Sequence, residues 1–342
     1  MESAKAGISE LQGINRHNAL MPHMGIVICV MPKQTEAAKN LITLDSITSR
    51  LNSINGSQIS HRVDQIGMRS YKKDTQAQGI DLAISCIDLT TLEGGDTPGR
   101  IKRLVSKAVN PDREDANCPN VAAICVYPNS VRHVVAGLKE YNNTTIKVAA
   151  VASGFPAGMT PLTARLNEID YSVRSGANEI DTVLDRSLFL SGAFQEVVNR
   201  VKEEKEACGK AKLKVILETS ELNDLTDIYH SAWLAMLGGA DVIKTSTGKH
   251  TSGATFPASW VMCLAAKEGS ALFSRPIGVK ISGGVKVSKD ALKHLAIAID
   301  RFGTISPDMW RIGASSLLDD LVAQRAFHRN GIYYGQEYFP VS

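Results

Sequence analysis

The sequence predicts a (β/α)8 TIM barrel, an α/β fold, carrying an N-terminal extension. Three observations lead there. From Asp81 onward, short β-branched runs alternate with runs of helical period. There are eight such β-branched runs, and their starts lie 25 to 39 residues apart, the size of a βα unit. They begin near Leu82, Val121, Ile146, Asn178, Lys212, Asp241, Ile277 and Met309. An open doubly wound sheet shares this alternation but calls for a GxGxxG turn after its first strand. The chain there reads Asp88-Leu-Thr-Thr-Leu-Glu-Gly-Gly. The count of eight and the even spacing favour the closed barrel.

The segments between the strands carry helix signals. Thr97-Pro98 reads as an N-cap and a first-turn proline ahead of Ile101, Leu104, Val105 and Ala108. Thr160-Pro161 repeats the device ahead of Leu162, Leu166, Ile169 and Val173. Ser288 caps a stretch holding Leu292, Leu295, Ala296 and Ile299 on one face. Gly238-Gly239 and Gly303 stand where helices should stop. Residues 1–75 are rich in Ser, Asn, Gln and Met with an irregular apolar pattern. They form an extension of uncertain order, with a helix expected over 36–54. The barrel spans 76–329, and 330–342 is a C-terminal tail.

Composition bounds the function. At 44% hydrophobic and 21% charged, the 342 residues suit a globular enzyme and not a disordered chain. Net charge is +3, from 38 basic and 35 acidic residues well interspersed, which gives no footing for a nucleic-acid or membrane partner. No run approaches the ~18 apolar residues of a membrane span. The apolar run Gly25–Met31 lies too far from Met1 for a normal signal peptide. The six cysteines include no CxxC pair, so they read as reduced thiols of a cytoplasmic protein. No HxH, HxxxH or HExxH pairing occurs among the eight histidines, which argues against a zinc enzyme.

Active sites of such barrels lie at the C-terminal ends of the strands. Lys244 is the sharpest residue there, in a strand otherwise built for burial. An unpaired buried ammonium is costly, so pairing with Asp181 is the plainest explanation. Lys280 changes the balance, because it stands on the adjacent strand at the matching height. At ~5 Å and an effective dielectric of ~20, two lysines repel by roughly 3 kcal/mol. That repulsion, with burial, favours a neutral amine, which Schiff-base chemistry on a carbonyl requires. Asp181 can carry protons during carbinolamine formation. A buried Lys–Asp–Lys network without chemistry is the competing reading. Gly283-Gly284 after strand seven, and Gly313 with Ser315-Ser316 after strand eight, lie where barrels bind phosphate. Lys249 and Lys286 are nearby counter-charges. Cys125 reads first as core packing, and Glu218 as a partner for Lys214 or a loop amide.

These residues bring a family into view. The chain from about Ser70 to Arg329 resembles deoxyribose-phosphate aldolases, class I aldolases on a (β/α)8 barrel. The carriers are Ile87-Asp-Leu-Thr-Thr-Leu92, Ala122-Ala-Ile-Cys-Val-Tyr-Pro128, Gly154-Phe-Pro-Ala-Gly158, Glu179-Ile-Asp-Thr-Val183, Asp241-Val-Ile-Lys-Thr-Ser-Thr-Gly-Lys249, Lys280-Ile-Ser-Gly-Gly-Val285 and Arg311-Ile-Gly-Ala-Ser-Ser-Leu-Leu318. The resemblance implies reversible cleavage of 2-deoxy-D-ribose 5-phosphate to acetaldehyde and D-glyceraldehyde 3-phosphate, with no metal or organic cofactor. It gives Lys244 the Schiff base, Lys280 the perturbing charge and Asp181 the proton relay. It places Asp88 and Thr90 on the substrate hydroxyls and Cys125 in the substrate pocket. Thr247, Gly248, Lys249, Gly283, Gly284, Gly313, Ser315 and Ser316 would hold the substrate and its phosphate. Ile281-Ser282 departs from the family's usual Pro-Ala. Tyr333, Tyr334 and Tyr338 compete for the place of a tail tyrosine that bacterial members bring near the site. A small-molecule phosphosugar is the expected partner, and a homo-oligomer is left open. Two other readings stay open: another class I phosphosugar aldolase or transaldolase, and a non-catalytic phosphosugar-binding barrel.

Overall fold

A computed structural model describes residues 43–48, 53–70, 72–250, 252–331 and 333. Eight parallel strands close into a barrel in sequence order, β1 pairing with both β2 and β8. They are β1 (Ile87–Thr90), β2 (Ala123–Val126), β3 (Lys147–Val151), β4 (Glu179–Val183), β5 (Lys212–Ile216), β6 (Val242–Lys244), β7 (Gly278–Ser282) and β8 (Trp310–Ala314). All are buried nearly end to end, as strands covered on both faces must be. Among the described residues, three helices precede β1: α1 (Leu44–Thr48), α2 (Gly56–Gly67) and α3 (Lys73–Ser85). The outer ring follows as α4 (Pro98–Val109), α5 (Val131–Glu140), α6 (Leu162–Arg174), the short α7 (Arg186–Leu190), α8 (Phe194–Cys208), α9 (Leu225–Leu237), α10 (Phe256–Phe273), α11 (Ser288–Phe302) and α12 (Leu317–Asn330).

The first strand is shorter than its sequence pattern suggests. Leu82–Ser85 finish helix α3, and β1 starts at Ile87. The β-branched count around Ile84 is therefore helix packing, with Ile80, Ala83 and Ile84 buried on one face. The 75/76 division falls inside α3, which packs against α11 and α12. Ahead of it, α2 buries Ile59, Val63 and Ile66 against the outer ring. Asn55 caps α2 by accepting from the Gln58 amide. Of the helix expected over 36–54, Leu44–Thr48 is helical, while 36–42 and 49–52 lie outside the described residues.

Capping follows the sequence in part. Thr97 accepts from Arg100 N with Pro98 in the first turn, and α4 buries Ile101, Val105 and Ala108. Gly239 and Gly303 take positive φ of 104° and 83° just past α9 and α11, where a side chain would be strained. Thr160 does not cap: α6 starts after Pro161, and the Thr160 hydroxyl has no partner. Ser288 is likewise inside α11, and its amide and hydroxyl both donate to Asp320 instead. No described helix is long and apolar enough to cross a membrane. Cys86, Cys118, Cys125, Cys208 and Cys263 are buried free thiols, and Cys29 lies outside the described residues.

Candidate active site

Side chains alternate along a strand, so residues two apart share the barrel interior. That rule places Asp88, Glu179, Asp181, Lys214, Lys244, Lys280 and Arg311 inside, all buried. Register does the rest. Lys244 is the direct cross-strand partner of Lys280, Asp181 of Lys214, and Lys280 of Arg311.

The seven groups form one ion network. Asp181 Oδ2 accepts from Lys244 Nζ at 2.9 Å and from Lys280 Nζ at 2.8 Å. Its Oδ1 accepts from Lys214 Nζ at 2.9 Å. Lys280 also reaches Asp88 Oδ2 at 2.7 Å. Lys214 reaches Asp88 at 3.1 Å and Glu179 at 2.6 Å. Arg311 bridges Asp88 Oδ1 and Glu179 Oε1, the latter at 3.0 Å. Four cations thus face three carboxylates, and the network reaches neutrality when one lysine loses its proton.

The environment selects that lysine. Burial is the main force lowering the Lys244 pKa; Asp181 opposes it and Lys280 adds to it. Burial also works against the charges of Lys280 and Lys214, but carboxylates outweigh it. Asp181 and Asp88 hold Lys280 above the ordinary lysine value, and with Glu179 they do the same for Lys214. Asp181 lies far below the usual carboxylate range, because Lys214, Lys244 and Lys280 override the effect of its burial. Repulsion from Lys280 is therefore a secondary cause at Lys244, and burial the first.

Above this floor opens a cavity of about 410 Å³ at the C-terminal ends of the strands. Lys244 borders it, as do Thr90, Thr247, Gly248, Lys249, Gly283, Gly284, Gly313, Ser315 and Ser316. Gly248, Gly283 and Gly284 all take φ near +80°, which lets the backbone fold close to the cavity. Gly313 has no room for a side chain, since a Cβ there would stand 2.9 Å from Lys280 Cε. Glu218, itself at φ +53°, accepts from the Thr247 amide at 3.0 Å and from its hydroxyl at 2.5 Å. Glu218 thus serves a loop amide, and Lys214 goes to the interior carboxylates. Lys249 reaches Glu93 across the mouth at 3.0 Å.

Asp181 and Lys280 lie in the buried floor and do not themselves border the cavity, and neither do Asp88 and Cys125. Asp88 lies beneath the cavity with both oxygens engaged by cations, and it does not border the open space. The Thr90 hydroxyl donates to the Asp88 carbonyl at 2.8 Å. Cys125 is buried with Leu92, Ala149 and Val151, its Sγ 4.0 Å from Asp181 Oδ2 and outside the cavity lining. Tyr333 donates to Asp320 Oδ1 at 3.2 Å and does not line the cavity; Tyr334 and Tyr338 lie outside the described residues. The sequence reading missed Glu179 and Arg311. Period-two alternation from Asp181 and Gly313 would have turned both inward. It also missed Arg100, Arg103 and Lys107, which line the cavity from one face of α4 at helical spacing. Among the described residues, no group of three His, Cys, Asp or Glu is placed to hold a metal ion.

Known proteins are similar to this chain. The family model described as "DeoC/LacD family aldolase" matches residues 82–323. Human deoxyribose-phosphate aldolase is 41% identical over 300 residues, covering 84% of this chain and 94% of the human protein. The mouse deoxyribose-phosphate aldolase aligns with the same identity and coverage. Among solved structures, the tetrameric deoxyribose phosphate aldolase of Aeropyrum pernix superposes with a TM-score of 0.57 at 25% identity. That match covers 78% of this chain and 97% of the other.

Proposed function

The chain belongs to the DeoC/LacD aldolase family, and from that premise we propose that it cleaves 2-deoxy-D-ribose 5-phosphate reversibly to acetaldehyde and D-glyceraldehyde 3-phosphate. It is a carbon–carbon lyase acting through a lysine Schiff base. The observation that carries the residue assignment is Lys244. It is buried, it borders the cavity, and its environment favours the neutral amine.

The neutral Nζ of Lys244 adds to the C1 carbonyl of the open-chain sugar. The carbinolamine loses water, giving a protonated Schiff base. Loss of the C3 hydroxyl proton then breaks the C2–C3 bond, and the electron pair moves into an enamine on Lys244. D-Glyceraldehyde 3-phosphate leaves. Protonation of the enamine carbon and hydrolysis release acetaldehyde and restore the amine. Asp181, hydrogen-bonded to Lys244 and Lys280, carries the protons through water, taking up the one lost from the C3 hydroxyl and returning it to the enamine carbon. Lys280, held charged, opposes protonation of Lys244 and stabilises negative charge developing beside it. Asp88 acts from below by holding Lys280, and contact with substrate hydroxyls falls to groups on the cavity wall such as Thr90.

The phosphate goes to the amides around Gly283, Gly284, Ser315 and Ser316, with Lys286 and, from α4, Arg103 as counter-charges lining the same cavity. We place the reaction in the cytoplasm, on the free buried thiols. Association of copies is inferred from the tetrameric A. pernix protein. Each barrel contains the whole ion network.

Reductive trapping tests the proposal. Protein, 2-deoxy-D-ribose 5-phosphate and borohydride should give a single covalent adduct by intact mass, mapped to Lys244. Lys244→Ala should give no adduct and no turnover while unfolding cooperatively. An adduct on Lys280, or none on folded wild-type protein, overturns the assignment.

A further inference from the structure

The anion-binding wall is made of two loops that do not follow each other in sequence. One runs from β7 into α11 and carries Gly283, Gly284 and Lys286. The other runs from β8 into α12 and carries Ser315 and Ser316, just past Gly313 of β8. The consecutive positive φ angles of Gly283 and Gly284 put the first loop in a conformation that glycine adopts without strain and few side chains hold in place. Something else must fix its two ends. The β7 end is clamped by Ala254, whose amide donates to Ser282 O at 3.1 Å and Gly283 O at 3.0 Å.

The other end is fixed by Asp320. Its Oδ2 accepts from the Ser288 amide at 2.6 Å and from the Ser288 hydroxyl. Asp320 stands in the first turn of α12, four residues past Ser316. One carboxylate therefore ties the end of the first loop to the helix that begins at the second. The neighbouring Asp319 binds Lys107 of α4 at 2.6 Å, so the same turn also fixes the third wall of the cavity. Asp320 Oδ1 accepts from Tyr333 at the start of the tail.

A carboxylate beside an anion site is electrostatically unfavourable for that anion, which argues that its geometry and not its charge is what the site uses. We propose that Asp320 is a positioning residue for the phosphate of the substrate. It holds the β7–α11 loop in register with the Ser315–Ser316 amides through Ser288. This rests on the reading of the two loops as the phosphate cradle given above.

The test compares kcat and KM on 2-deoxy-D-ribose 5-phosphate with those on unphosphorylated 2-deoxy-D-ribose. Gly284→Asp checks the cradle itself, and it should weaken the phosphorylated substrate far more than the plain sugar. Asp320→Ala should raise KM for the phosphosugar about tenfold or more, as small misplacements of binding groups do. It should leave kcat, and all constants for 2-deoxy-D-ribose, within about twofold of wild type. Asp320→Asn keeps an acceptor oxygen toward Ser288 and should restore phosphosugar KM to wild type or better. Ser288→Ala, a milder change should Asp320→Ala fold poorly, should move the same ratio in the same direction. Equal losses on both substrates, or an Asp320→Asn variant as poor as Asp320→Ala, overturn the positioning role. If Gly284→Asp affects both substrates alike, it is the cradle reading that fails.

Discussion

Replacing Lys280 with methionine isolates the electrostatic part of the mechanism. Lys244 and Lys280 donate to the same Asp181 oxygen, at 2.9 and 2.8 Å. Their nitrogens therefore lie about 5 Å apart, and at an effective dielectric of about 20 they repel by about 3 kcal/mol. Methionine removes that repulsion and keeps the length of the side chain. It also leaves Asp181 with fewer cations to share, which strengthens its hold on the Lys244 proton. Asp88 keeps Lys214 and Arg311, so no carboxylate is stranded. The sign is fixed: the reactive form is the neutral amine, and Lys280→Met favours the ammonium. The acid limb of kcat/KM must move to higher pH. At a fixed pH on that limb, 3 kcal/mol corresponds to a loss of about a hundredfold. Raising the pH should recover much of it. The assay is a pH profile of phosphosugar cleavage for wild type and variant under identical salt. An acid limb that stays in place would refute the charge argument and leave burial as the whole cause of the lowered Lys244 pKa.

Two further substitutions probe the same interior. Arg311→Met removes one of the two cations that Asp88 and Glu179 share, leaving Lys214, and should lower unfolding free energy by about 1–3 kcal/mol, read from denaturant titration. Asp88 is held below the ordinary carboxylate range in the fold, so its contribution is present above its unfolded pKa and lost as pH falls. Weakening that hold should move acid unfolding to higher pH; a midpoint that does not move counts against it. Gly313→Ala places a Cβ 2.9 Å from Lys280 Cε and 3.0 Å from Ser282 Cβ. It should cost about 1–3 kcal/mol of stability through overpacking. By displacing Lys280 it should also reduce kcat about tenfold or more. A wild-type kcat would show that Lys280 tolerates displacement.

Much of this architecture was legible because barrel strands advertise themselves twice, by apolar content and by spacing. The β6 and β7 lysines were visible since each interrupts an otherwise apolar run. The start of β1 was not, because Leu82–Ser85 has the composition of a strand and only packing against α11 and α12 makes it helix. Thr160 and Ser288 have cap chemistry, but the cap positions went to Pro161 and Val287. Asp88 misled for a different reason. A carboxylate at the end of a strand can face the cavity or the layer below, and that depends on where β8 and β1 join. Closure puts Arg311 beside it, a contact between residues 223 apart in sequence.

The same closure accounts for the proposed assignment of the nucleophile to Lys244 and not to its neighbours. Lys214 touches Asp88, Glu179 and Asp181, and Lys280 touches Asp88 and Asp181. Lys244 touches Asp181 alone among the described carboxylates. Deprotonating Lys214 would leave three buried carboxylates short of a cation, and each such vacancy is costly in a low-dielectric interior. Deprotonating Lys244 leaves Asp181 still held by two ammonium groups. The lysine that can lose its proton most cheaply is thus also the one that borders the cavity. The remaining six charged groups, three of each sign, form a neutral bed beneath it. Their arrangement biases Lys244 toward the neutral amine before any substrate arrives, which is the form of preorganisation the proposed Schiff-base step needs.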